Sequence, residues 1–174
     1  MNSAAISAGS AASPAPAPLL LGLRILLVMV ALIELIYSHV GASMLFGDMT
    51  VFPGPGLRGA LIKLHMATHP VLALAALIFA AIGYVRYAVV ALGAVVLMTW
   101  LSYMPSVVLH GMGGTGVALT PAQIMVFPLM GACAIALAAR NQWPWLAAAL
   151  VSIPTFMGTL SFVLFVIGVS LYGF

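Results

Sequence analysis

The stretch LLLGLRILLVMVALIELIYSHV, residues 19–40, carries only two charged side chains, Arg24 and Glu34, among long aliphatic ones. Roughly 20 consecutive apolar residues in an α-helix are enough to cross the hydrocarbon core of a bilayer. A cleaved secretory signal would have basic residues before its apolar core, and no basic residue precedes this stretch. We therefore expect the segment to be retained. Its length and composition predict a membrane-spanning helix.

The composition of the whole chain extends this prediction to the rest of the protein. Of the 174 residues, 65% are hydrophobic and 4% are charged, with a mean hydropathy of +1.28, whereas a soluble domain carries roughly 25% charged residues. Two acidic and five basic residues cannot cover a soluble fold. The chain is therefore expected to lie in a lipid bilayer, and its net charge of +3 gives no indication of nucleic-acid binding.

Five apolar runs, separated by segments rich in glycine, proline or polar residues, are long enough for helices. The predicted helices are about 18–45, 59–83, 86–109, 121–139 and 144–172. The fold class expected is an all-α, polytopic membrane bundle of about five transmembrane helices, or four if one weaker run is re-entrant. Residues 1–17 form an Ala/Ser/Pro-rich tail, and residues 18–174 form a single transmembrane helical domain.

The basic residues suggest an orientation. Arg24, Arg86 and Arg140 fall on the same side of the predicted bundle as the N-terminus, whereas Arg58 and Lys63 fall on the other side. Cytoplasmic segments carry the excess of lysine and arginine. This distribution favours an N-terminus inside, in a membrane of the bacterial inner-membrane type.

All four histidines are predicted to lie on one side of the membrane. His39 is near the end of the first helix, His65 and His69 are near the start of the second, and His110 ends the third. His65 and His69, spaced i and i+4, share a helix face. Ionisable residues inside a membrane are functional candidates by default, although each could instead be a hydrogen-bonded packing residue.

One interpretation of these histidines is a haem b site. Two histidines on different helices at comparable depth can clamp a haem, and His39 with His69 fits this requirement best. His65 can take the place of His69 because one helical turn separates them. The single cysteine does not stand in a Cys-x-x-Cys-His motif, so any haem is expected to be non-covalent.

The alternative cofactor is copper or another transition metal. Imidazole together with thioether is a ligand set that Cu(I) prefers, and the predicted ligands are His65, His69, His110, Met66 and Met112. Met66 follows His65 where a zinc protease motif has a glutamate. The motif H-E-x-x-H is therefore absent, and the chain lacks the glutamate that would act as general base in metal-dependent hydrolysis.

Glu34 is the one acidic residue predicted within a span. It lies five residues before His39, an offset of about 140° around a helix, so the two side chains do not share a face. An unpaired carboxylate in hydrocarbon is unfavourable. We therefore expect Glu34 to be protonated, to pair with a base from another helix, to serve a proton path to a quinone, or to act as a polar anchor.

These observations lead to two hypotheses of function. In the first, the histidine- and methionine-rich half of the bundle binds haem b or copper and supports membrane electron transfer within a larger complex, with quinone as a candidate partner. In the second, the chain is a non-catalytic accessory subunit whose histidines simply hydrogen-bond. No nucleophile, general base and acid occur together in a pattern that indicates an enzyme.

Overall fold

The computed structural model describes residues 17–44, 56–111 and 121–173. Almost all of these residues are helical, and no strand occurs among them. The helices are α1 Ala17–Met44, α2 Gly56–Ile82, α3 Val85–His110, α4 Phe127–Ala139 and α5 Pro144–Tyr172, with a π-helical turn, Ala122–Val126, directly before α4.

The predicted all-α membrane bundle of about five helices is confirmed. In the described part of the chain, α1, α2, α3 and α5 contain apolar stretches long enough to cross a membrane, and a shorter apolar helix covers Gln123–Ala139. α2 begins at Gly56, ahead of the predicted 59. The fourth run begins as a π-helical turn and not as the regular α-helix that was predicted.

Small side chains fill much of the bundle core. Consecutive helices pack against each other, and α5 returns to contact α1 and α3. Ala31, Ala76 and Ala148 are fully buried, together with larger side chains such as Leu27 and Leu92. Small residues allow helix backbones to approach closely, which is how helices associate in membranes.

The outer surface of the helices is also apolar. Exposed side chains include Ile36 on α1, Val71 on α2 and Leu164 on α5. A soluble monomer rarely exposes large contiguous apolar patches. Together with the length of the helices, these faces identify a multi-pass integral membrane protein.

Two arginines tie helix ends together at one end of the bundle. The Arg24 Nη2 atom donates to the Ala81 carbonyl over 2.6 Å, near the end of α2. The Arg86 Nη2 atom donates to the Ala139 carbonyl, at the end of α4, over 2.9 Å. The last carbonyls of a helix have no partner within it, so both bonds satisfy otherwise open acceptors. Arg24 and Arg86 therefore lie at the same end, as the predicted topology requires.

Candidate functional site

A cavity with a volume of about 410 Å³ lies among the helices, and each of the five helices and the π-helical turn contribute to its lining. Its polar lining includes Glu34 from α1, His65 and His69 from α2, and Thr155 from α5. The cavity is partly open. The acid of α1 and the histidine pair of α2 thus line the same cavity within the membrane-spanning bundle.

Glu34 joins three helices through its two carboxylate oxygens. Its Oε2 atom lies 2.9 Å from the His69 Nε2 atom, and its Oε1 atom accepts a hydrogen bond from the Thr155 Oγ1 atom over 2.5 Å. The side chains of Glu34 and His69 are each only 12% exposed. Of the four expectations for Glu34, this geometry agrees with two, pairing with a base from another helix and a polar anchor between helices.

The carboxylate also determines which nitrogen of His69 is free to bind a ligand. When the carboxylate is ionised it can only accept hydrogen bonds, and the Nε2 atom of His69 then carries the proton of this pair. In a neutral imidazole the other nitrogen, Nδ1, then keeps its lone pair. In that protonation state the bond to Glu34 would hold His69 in an orientation and tautomer suited to a ligand.

His65 lies beside His69 and carries an unsatisfied polar atom. The two ring centroids are 5.0 Å apart, with the ring planes inclined by 38°. The His65 Nδ1 atom is buried and has no hydrogen-bond partner among the described residues. Most buried polar groups in proteins have a partner. His65 lines the cavity and carries an unsatisfied imidazole nitrogen that is itself buried in the cavity wall.

Pro128 accounts for a polar contact between Trp100 of α3 and the π-helical turn. Pro128 has no N–H group and cannot donate to the carbonyl of Ile124, four residues earlier. The Trp100 Nε1 atom of α3 donates to that carbonyl over 3.0 Å instead. The bond fixes the indole of Trp100 in the cavity lining and fastens α3 to the π-helical turn.

The predicted ligands separate into three groups. His65, His69 and Met66 line the cavity together, and Met66 is buried. His39 is exposed and is not part of the cavity lining. The side chain of His110 and all of Met112 lie outside the described residues, as do residues 1–16 of the predicted tail.

The described residues contain no group of three or more histidine, cysteine, aspartate or glutamate side chains arranged to hold a metal ion. The predicted ligands that line the cavity are His65, His69 and Met66.

Sequence reasoning missed several residues of the cavity. Thr155 gave no signal, because a hydroxyl in an apolar helix is usually bonded to its own backbone. Tyr37, Trp100 and Tyr103 also line the cavity, but aromatic residues are common in membrane helices. The pairing of Glu34 with His69 could have been anticipated, because both lie well inside adjacent antiparallel helices.

No protein-family model, curated protein or solved structure matches the chain. Its function therefore has to be inferred from the chemistry of the cavity.

Proposed function

We propose that this membrane protein binds one copper ion in the cavity through His65 and His69, with Met66 as a thioether ligand, and takes part in membrane electron transfer. The observation that carries the proposal is the hydrogen bond of 2.9 Å between Glu34 and His69 beside the unpartnered Nδ1 atom of His65. Histidines that bind metals almost always donate their other ring N–H to a carboxylate, a carbonyl or water. Glu34 supplies that carboxylate.

The charges of the site favour Cu(I) over a divalent ion. Two neutral imidazoles and one thioether add no charge, so a Cu⁺ ion and the Glu34 carboxylate cancel. A divalent ion would leave one uncompensated positive charge in a poorly solvated region, which is costly. Imidazole and thioether are also ligands that suit copper, whereas carboxylate and water ligands suit magnesium and calcium.

Electron transfer requires a donor and an acceptor as well as the copper ion. We place these partners in a larger membrane assembly or in the lipid phase. With the N-terminus inside, as three arginines on that side against one arginine and one lysine on the other favour, the cavity belongs to the outer half of a bacterial-type inner membrane.

Haem b is the second candidate cofactor, and the volume of the cavity, about 410 Å³, is the observation in its favour. A haem would take His69 or His65 as one axial ligand. The predicted partner His39 is exposed away from this lining, which is why copper is the first candidate. A chain that binds neither group would support the alternative role of an accessory subunit.

The test is the metal content of the protein purified in detergent, loaded with Cu(I) under reducing conditions and passed over a desalting column. We expect about one copper per chain, with an X-ray absorption spectrum that reports nitrogen and sulfur neighbours. The matched control is His39→Ala, which removes an exposed imidazole and should retain the same copper. A wild-type chain without copper, or copper that disappears with His39 alone, would overturn the proposal. A reduced-minus-oxidised haem band would instead favour haem b.

Glu34→Gln is expected to lower the affinity for Cu(I) about 10–100-fold, the usual cost of removing the hydrogen-bonding partner of a metal ligand. Glutamine keeps the size of the side chain but removes the negative charge that balances the metal. Competition with a chromophoric Cu(I) chelator measures the affinity. The control is Thr155→Val, which removes the other bond to the carboxylate and leaves His69 paired. It should weaken binding less than Glu34→Gln, and equal affinity in the wild type and Glu34→Gln would contradict this role for Glu34.

A further inference from the structure

The cavity is far larger than a copper ion requires. Its volume is about 410 Å³, whereas a water molecule takes up about 30 Å³ in the liquid. Cavities of roughly 300–1,000 Å³ are typical of sites for small organic molecules. Space for a second, organic ligand therefore remains beside the histidine pair.

Four of the sixteen residues that line this space are aromatic. Tyr37 from α1, Trp100 and Tyr103 from α3 and Phe127 from α4 all line it. Aromatic side chains pack favourably against other flat rings in stacked or edge-to-face arrangements. Since Trp100 is held by its bond to Ile124, at least one of these rings is fixed in place before a ligand arrives. The cavity thus suits a planar ring.

The polar lining selects for a neutral hydrogen-bond donor. Among the described residues that line the cavity, Glu34 is the only acid, and neither lysine nor arginine occurs. With Cu⁺ bound, the charges of the ion and of the Glu34 carboxylate cancel, so an anionic ligand would add a negative charge that no basic lining residue balances. Each carboxylate oxygen has two lone pairs, so Glu34 can accept a further hydrogen bond beside those from His69 and Thr155. A hydroxyl group is a donor of this kind.

We infer that the cavity binds the ring of a lipid-soluble hydroquinone, with one ring hydroxyl donating to the Glu34 carboxylate and the ring packed against Trp100 and the tyrosines. Gln123, on the π-helical turn, also lines the cavity and offers both a donor and an acceptor to the second hydroxyl. A hydroquinone with an apolar tail can reach an intramembrane site through the lipid. The hydroquinone would be the reduced electron carrier in the proposed electron transfer, so its assignment rests on that proposed function.

The tryptophans of the chain allow a direct binding test. Trp100 is one of three tryptophans, and the other two, Trp143 and Trp145, are exposed and lie outside the cavity lining. The variant Trp143→Phe/Trp145→Phe leaves Trp100 as the sole indole. Anaerobic titration of this variant with decylubiquinol, in its copper-loaded and copper-free forms, should quench Trp100 fluorescence to saturation. Non-saturating quenching, as expected of simple partition into the micelle, would overturn the inference.

A matched pair of substitutions in this sole-tryptophan background locates the ligand. Glu34→Gln should weaken decylubiquinol binding about tenfold, because glutamine keeps an acceptor oxygen but lacks the charge that strengthens the hydrogen bond, whereas His39→Ala should leave it unchanged. Equal binding in Glu34→Gln and its parent would also overturn the inference. Copper content measured on the same preparations separates the two proposals. If the chain retains copper but shows no saturable quenching, the hydroquinone proposal alone is excluded. If the quenching is saturable but the chain never retains copper, the copper proposal alone is excluded.

Discussion

Replacing His65 by alanine is expected to leave the purified protein without stoichiometric copper. The substitution removes one of the two imidazoles of the proposed site and leaves a single nitrogen and a thioether, too few ligands to compete with a chelator. The loss should exceed the roughly 10–100-fold expected of a residue that acts only through a ligand. The measurement is copper per chain after exposure to a Cu(I) chelator, with His39→Ala as the control that retains copper.

The stability of the metal-free protein distinguishes a ligand from a packing residue. The His65 Nδ1 atom is buried without a hydrogen-bond partner among the described residues, and such an atom carries a desolvation cost of about 1–3 kcal/mol. Removing the imidazole relieves this cost, so the melting temperature of metal-free His65→Ala should stay close to that of the wild type. Added Cu(I) should raise the melting temperature of the wild type only, because ligands stabilise the form that binds them. A large loss of metal-free stability in His65→Ala would identify a structural role instead.

The number and position of the helices could be predicted from the sequence because the bilayer imposes a length and a composition on every span. The histidine pair could also be predicted, because side chains spaced i and i+4 lie on the same face of a helix. The π-helical turn was not predicted. The missing N–H of Pro128 was visible in the sequence, but the Trp100 indole that donates to the Ile124 carbonyl comes from another helix.

The rotation of α1 about its own axis is what the sequence left open. Glu34 and His39 lie on different faces, so only one of them can point into the bundle. In a soluble protein the polar face of a helix points to water, but the few polar residues of α1 lie on different faces, so their pattern does not mark an inner side. Packing against α2 and α5 turns Glu34 towards His69 and Thr155 and leaves His39 exposed. The predicted pair of His39 with His69 depended on the opposite rotation.

Gly93→Leu is expected to destabilise the bundle strongly, because α3 and α4 are in backbone contact at this residue. A Cβ atom on Gly93 would lie 2.7 Å from the Ile135 Cγ1 atom and 3.1 Å from the Gly131 carbonyl oxygen. Overpacking a well-filled core usually costs about 1–3 kcal/mol, and leucine adds three further carbon atoms beyond the Cβ. The measurement is the unfolding midpoint in detergent or bicelles. Since α4 carries Phe127 into the cavity lining, copper binding should weaken as well.

The control for this prediction is Gly22→Leu, because a Cβ atom on Gly22 would meet nothing within 4 Å. Leucine there extends from the exposed face of α1 and should leave the midpoint close to that of the wild type. The smaller change Gly93→Ala separates the two contacts at this site. If the Ile135 side chain is the main obstacle, Ile135→Ala should restore part of the stability lost in Gly93→Ala, whereas a clash with the Gly131 backbone would allow no such rescue. Equal midpoints for Gly93→Leu and Gly22→Leu would show that α3 and α4 are not packed this closely in the membrane.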